Sequence, residues 1–267
     1  MGATIKNTIR ITYTITFNSP FHPGTGLRRG LIDRAIARDA YGYVYIPGST
    51  IKGVLRENCE RLAVTPLFRA DSLSLIQSPH TEHLRPFAKT PTLVERIFGS
   101  RFREGTVYFD DAIMSENPKN ALGKEFFRGR GSGPENSTKS NIEQRFKSWQ
   151  VAVRTQNMIS RQTGTAVENA LFKSEYGLQD LEFSGKIYGA IEGAEIRDTR
   201  LSDALVLFVA GFRFFDKIGG NKSVGMGRFA FNIPDSKIQV DDIEKTFEEV
   251  IESLQAPLSS NSRYTHL

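Results

Sequence analysis

The stretch LSDALVLFVAGFRFFDKIGGNKSVGMGRFAFNI, residues 201–233, decides how this chain is read. Its first part, LSDALVLFVAGFRFF, is an apolar run expected to form a helix buried against a sheet. Its end, MGRFAFNI, reads as a closing strand. Between them GGNKSVGMGRF, residues 219–229, packs four glycines around a Lys-Ser pair and an Arg-Phe exit. Glycine-rich loops with Lys and Ser commonly cradle phosphates. A nucleotide-binding P-loop needs G-x-x-x-x-G-K-[ST] between a strand and a helix. Here Asn221 precedes Lys222-Ser223, and the loop leaves a helix and enters a strand. The order is reversed, which removes the nucleotide reading. Two others stand: a turn whose glycines meet a need for positive φ, or backbone N–H groups approaching a polymer's phosphates with Lys222 and Arg228 as counter-charges.

Upstream, TIRITYTITF (8–17) alternates Ile9, Ile11, Tyr13, Ile15 and Phe17 with polar residues, the period of a half-buried strand. A Gly/Pro-rich loop follows, with His22, Arg28 and Arg29. Its GTGLRRG has one residue too many for a dinucleotide fingerprint. STIKGVLRENCERL (49–62) has helical spacing, Ser49 or Thr50 as its expected cap, and Cys59 as a buried thiol. GTVYFDDAIM (105–114) and LEFSGKIYGAIEGAEI (181–196) read as strands, and VDDIEKTFEEVIESLQ (240–255) as an amphipathic helix. Strand, helix, strand, strand, helix, strand is the α+β ferredoxin-like, or RRM-like, pattern. The expectation is one elaborated domain over 1–267. It has a mainly helical, lid-like insertion at about 65–100 and an irregular, polar, thumb-like one at about 115–165. The tail SSNSRYTHL is expected to be disordered.

Composition narrows function. Lys and Arg number 35 against 30 Asp and Glu, a net charge of +5 with a pI near 9.3, which suits an anionic partner. No apolar run is long enough to span a membrane. The first residues lack the apolar segment of a signal peptide, and Lys6 stands where a myristoylation motif has Ser or Thr. A single cysteine excludes an internal disulfide and any multi-cysteine zinc site, so a reducing cytoplasm is expected. His80 and His83 form an H-x-x-H pair without neighbouring cysteines, and zinc is not expected there. In IPGSTIKGVLRE (46–57) a Pro-Gly turn opens a helix whose first N–H groups can bind an anion. Lys52 and Arg56, four apart, share one helix face beside it. Asp39, in DAYGY, reads as an Asx-turn residue.

IPGSTIKGVLR and, much later, GGNKSVGMGRF together resemble the RAMP superfamily of CRISPR-associated proteins. GLIDRAIARDAYGYVYIPGS is similar to the stretch of the type III (Csm/Cmr-type) backbone subunit that carries its catalytic aspartate. VERIFGS…GTVYFDDA and RTQNMISRQTGTAVENALFKSEYG…LEFSGKIYGAI resemble its later blocks, so most of residues 8–232 is covered. The resemblance implies RRM-like subunits stacked along a CRISPR guide RNA within a cytoplasmic effector complex, with neighbouring RAMP subunits and a complementary target RNA as partners. Ser49, Lys52, Gly53, Arg56, Gly219, Gly220, Lys222, Ser223 and Arg228 would hold guide phosphates. His22, with Arg28 and Arg29 in the same loop, would lie near the RNA, though Pro23 replaces a commoner apolar residue. A thumb would wedge into the guide–target duplex. Residues 119–161 hold nine Lys or Arg against three Asp or Glu, an excess of six, interleaved with Phe126, Phe127, Phe146, Trp149 and Met158. Lys147, Trp149 and Arg154 are its RNA-binding candidates.

The family's essential aspartate matches Asp33, implying endonucleolytic cleavage of target RNA with a divalent cation, Mg2+ or Mn2+. Only RNA offers a 2′-OH for in-line attack. A carboxylate could deprotonate it, orient the phosphate or hold the ion. The long insertion with its GRGSG departs from the plain backbone subunit and points to a variant complex or a special filament position. The competing reading is a structural RAMP subunit that binds RNA and cleaves nothing. A guide-processing enzyme would need a histidine acid–base pair near the Gly-rich loop, and after His83 the only histidine is His266.

Overall fold

A strand whose odd-numbered side chains from Ile9 to Phe17 are all apolar must lie face-down on a core, and β1 (Thr4–Phe17) does so. Ile9, Ile11, Tyr13, Ile15 and Phe17 are each at most 1% exposed. Burial of each such side chain is worth about 1.5–3 kcal/mol. The computed structural model describes residues 4–65, 68, 91–114, 150–196, 199–233 and 237–252. In it β1 is followed by α1 (Gly48–Ala63), α2 (Leu93–Phe98) and the short strands β2 (Val107–Phe109) and β3 (Ile113–Met114). A hairpin of β4 (Val151–Ile159) and β5 (Ala166–Gly177) comes next, then β6 (Glu182–Ala194), α3 (Asp203–Gly211) and β7 (Phe229–Asn232). The described chain ends with β8 (Lys237–Val240), β9 (Ile243–Thr246) and α4 (Phe247–Glu252).

β1 lies antiparallel between β6 and β7, and β2 and β3 both pair antiparallel with β6. With β2–β3 as one broken strand, the order β2–β6–β1–β7 is the ferredoxin-like sheet expected from the sequence. The β8–β9 hairpin extends it beyond β1. α1 sets Ile51, Leu55, Cys59 and Ala63 on the core at intervals of four, one stripe of a helix. α3 is buried nearly all round, from Ala204 to Val209, because α1, α2, α4 and β6 all pack against it. Cys59 is fully buried, and burial raises its thiol pKa far above the usual range.

Three local expectations are corrected. Helix α1 begins at Gly48 with Pro47 at its N-cap, and neither Ser49 nor Thr50 caps it by a side chain. Gly48 is needed there because a Cβ would collide with the Phe109 carbonyl. Residues 240–255 are not one helix: Asp241 and Asp242 take positive φ, turn β8 into β9, and leave a helix only from Phe247. The 115–165 stretch is not irregular to its end, since 151–159 pairs with 166–177 in a separate two-stranded sheet. Residues 115–149 of that stretch, most of the 65–100 insertion and the tail lie outside the described residues.

Candidate nucleic-acid interface

The loop from β1 to α1 is held by the root of β5. Phe21 and Gly177 exchange backbone hydrogen bonds (3.1 and 2.7 Å), a close approach that glycine permits because a Cβ at 177 would meet the Phe21 ring. Further along, Asp33 and Arg34 N–H groups donate to the Lys173 carbonyl at 3.0 and 3.2 Å, and Glu175 N–H donates to the Arg34 carbonyl at 3.0 Å. The buried Glu175 carboxylate accepts from Ile36 N–H at 3.1 Å and from Arg38 at 3.0 Å. Asp39 accepts from the N–H groups of Tyr41 and Tyr43 (2.9 and 2.8 Å), the Asx turn its sequence suggests.

The Gly-rich loop docks on the same segment from the other side. Gly220 N–H donates to the His22 carbonyl (3.0 Å), Gly227 N–H to Pro20 (2.8 Å), and Arg228 N–H to the Ser19 hydroxyl (2.9 Å). Gly219 and Gly227 have φ of +87° and +75°, and a Cβ at either would strike the backbone of His22 or Ile218. These two glycines are there for the turn. Gly225, also at positive φ, has open space where a Cβ would be. Asn221 takes a left-handed conformation, and Lys222–Val224 form one 3-10 turn.

Together these segments enclose an open cleft of about 540 Å³, lined by His22, Gly24, Asp33, Arg34, Thr50, Val54, Gly219, Gly220 and Asn221 among others. Asp33 accepts from Lys173 N–H through Oδ2 (3.0 Å) and faces Arg28 Nε at 3.7 Å through Oδ1. The Arg28 side chain is 81% exposed, so that ion pair adds little to stability. His22 Nδ1 lies 2.6 Å from the Glu175 carbonyl, and its ring leans on Tyr176. Tyr176 donates to Gln156 (3.0 Å), receives Asn221 Nδ2 (3.4 Å) and lies under the Arg154 guanidinium.

His22, Asp33, Gly219 and Gly220 therefore meet in one cleft. The basic candidates do not line it. α1 turns Thr50 and Val54 inward, leaving Ser49, Lys52, Gly53 and Arg56 outside the lining, with Arg29, Ser223 and Arg228 exposed nearby. Lys222 is 3.5 Å from Glu57 and Arg56 is 2.8 Å from Glu60. Lys52 has its pKa lowered by burial first and by Arg56 second, the state of a cation beside a like charge. The first amide of α1 is already used: Gly48 N–H donates to Asp111 at 2.7 Å. Lys147 and Trp149 lie outside the described residues.

A family model described as the RAMP superfamily matches residues 14–230. This chain belongs to the RAMP superfamily. No curated protein matches it. Among solved structures, a chain of the type III-B Cmr-beta bound to cognate target RNA is similar at 13% identity and TM-score 0.51, with 85% of this chain and 97% of that one covered. A chain of Cmr-beta in its apo state is similar at 14% identity and TM-score 0.53, with 84% and 96% covered. At such identities the likeness is one of fold. In this RAMP protein the sequence reading missed Gly24, Thr50, Asn221, Glu175 and Tyr176. Asn221 sits within the loop singled out, between glycine and lysine, and could have been included. Glu175 and Tyr176 lie on a strand more than 130 residues from Asp33, and their role exists only in the tertiary pairing.

Proposed function

We propose that this RAMP protein is a backbone subunit of a type III CRISPR effector complex, binding guide RNA beside neighbouring RAMP subunits and cutting complementary target RNA at Asp33. The observation that supports it most directly is the cleft itself: a carboxylate, an imidazole and the Gly-rich loop converge on one open space wide enough for a nucleotide. The likeness to chains of Cmr-beta, one of them bound to target RNA, supports the choice of partner. In this reading the Gly-rich loop and the outer face of α1, with Lys52, Arg56, Lys222 and Arg228, hold phosphates without reading bases. The β4–β5 hairpin, with Met158 and Ile159 exposed near its turn, belongs to the thumb.

In this reading the half-buried Asp33, its Oδ2 held by the Lys173 amide, accepts a 2′-hydroxyl proton or orients the scissile phosphate. Among the described residues no three His, Cys, Asp or Glu side chains cluster as metal ligands. One carboxylate fits an ion held mainly by RNA phosphates and water, as Mg2+ commonly is. Bound there, Mg2+ or Mn2+ would neutralise charge on the phosphate, with Asp33 as its protein ligand.

The Lys173 bond also favours a second reading, in which Asp33 merely ties the loop to β5 and the subunit is structural. Reconstitution with guide RNA and a labelled complementary target separates them. Asp33→Ala is expected to assemble normally and to lose target cleavage by at least about 100-fold. Unchanged cutting by an assembled Asp33→Ala complex would remove the catalytic role of Asp33 and leave it as the tie between the loop and β5.

A further inference from the structure

His22 offers more than a contact to RNA. A carbonyl oxygen can only accept, so the 2.6 Å contact to the Glu175 carbonyl requires His22 Nδ1 to hold the ring proton. In the neutral imidazole Nε2 is then a lone-pair acceptor. Its ring lines the cleft and is steadied against Tyr176. Two glycines leave the imidazole uncovered. A Cβ on Gly24 would sit 2.9 Å from Nε2, and one on Gly220 would sit 3.5 Å from Cδ2. Gly24 is not among the residues at positive φ, so the backbone does not require glycine there. An added methyl would crowd Nε2, and the ring would have to shift to admit it.

We infer that His22 Nε2 is a hydrogen-bond acceptor for a ribose 2′-hydroxyl, making this cleft selective for ribose. The inference rests on the proposed RNA-binding role and names what the cleft recognises there. Phosphates accept and cannot donate to a neutral Nε2, whereas the 2′-OH is the donor that distinguishes RNA from DNA along a backbone. The occupant is a nucleotide of single-stranded or guide-paired RNA lying between the Gly-rich loop and Asp33.

The test uses the purified full chain, a mixed-sequence single-stranded RNA and the same oligonucleotide with 2′-fluoro sugars. Fluorine keeps an RNA-like sugar pucker but has no proton to donate. The wild type is expected to bind the RNA about three- to tenfold tighter than the fluoro analogue, the range of one net hydrogen bond. His22→Ala and Gly24→Ala, each checked for a native melting transition, are expected to bring that ratio to about one, the first by removing the imidazole and the second by crowding Nε2. If Gly24→Ala does not fold, His22→Phe serves as the second variant. A wild-type ratio near one, or a ratio unchanged by His22→Ala, overturns the ribose contact while leaving RNA binding intact. Equal weakening toward both oligonucleotides overturns it too and makes His22 a packing residue. Binding to neither overturns the RNA-binding reading itself.

Discussion

At the residue scale, the cations around the cleft are distinguishable by what they touch. Lys52 lies partly buried beside Arg56, its pKa lowered, and a phosphate's charge would offset both the desolvation and the repulsion. Lys222 is shared with an exposed Glu57, so RNA must displace a weak ion pair to use it. Lys52→Ala and Lys222→Ala are each expected to weaken RNA binding evenly across sequences and to reduce the slope of log affinity against log salt by about one. Titrations at several salt concentrations with two unrelated sequences check this, and a sequence-selective loss would count against backbone gripping.

At the element scale, the Gly-rich loop is a docked turn before it is a binding surface. Gly227 at φ +75° presses against the Ile218 carbonyl while its own N–H reaches Pro20. Gly227→Ala is expected to destabilise the protein by about 1–3 kcal/mol, read as a lower denaturation midpoint. Gly225→Ala meets no steric obstacle, only the left-handed backbone, and is expected to cost about 1 kcal/mol. Equal losses at the two positions would mean that the packing against Ile218 contributes nothing.

At the scale of the whole molecule, the root of the β4–β5 hairpin holds the cleft together. Lys173, Glu175, Tyr176 and Gly177 fasten, in turn, Asp33, Ile36 with Arg38, Asn221, and Phe21. Arg38 and Glu175 are 19% and 8% exposed at their side chains, a paired charge in a mostly dry setting. Removing one partner strands the other. Glu175→Ala is expected to cost about 3–5 kcal/mol, and pairing it with Arg38→Met to recover part of that. Chemical denaturation of the two single variants and the double variant measures the coupling, and strictly additive losses would show that the pair is not coupled.

The alternation in 8–17, the apolar run 201–215 and the order of elements between them were enough to determine the ferredoxin-like sheet, because period-two and period-3.6 burial are local properties of the chain. The motifs around Asp33, the α1 start and the Gly-rich loop were legible for the same reason: each is a short run with its own chemistry. The turn at Asp241-Asp242 was not, since Ile243, Phe247 and Val250 keep helical spacing and only pairing with β8 made 243–246 a strand. Nor could sequence say which side of α1 faces the cleft, so it chose the basic stripe where the structure turns Thr50 and Val54 inward. What only the tertiary structure decided is the company of Asp33 and His22. Their partners on β5 are brought close by strand pairing across more than 130 residues, and a lone carboxylate and an imidazole become a site only when their neighbours aim them.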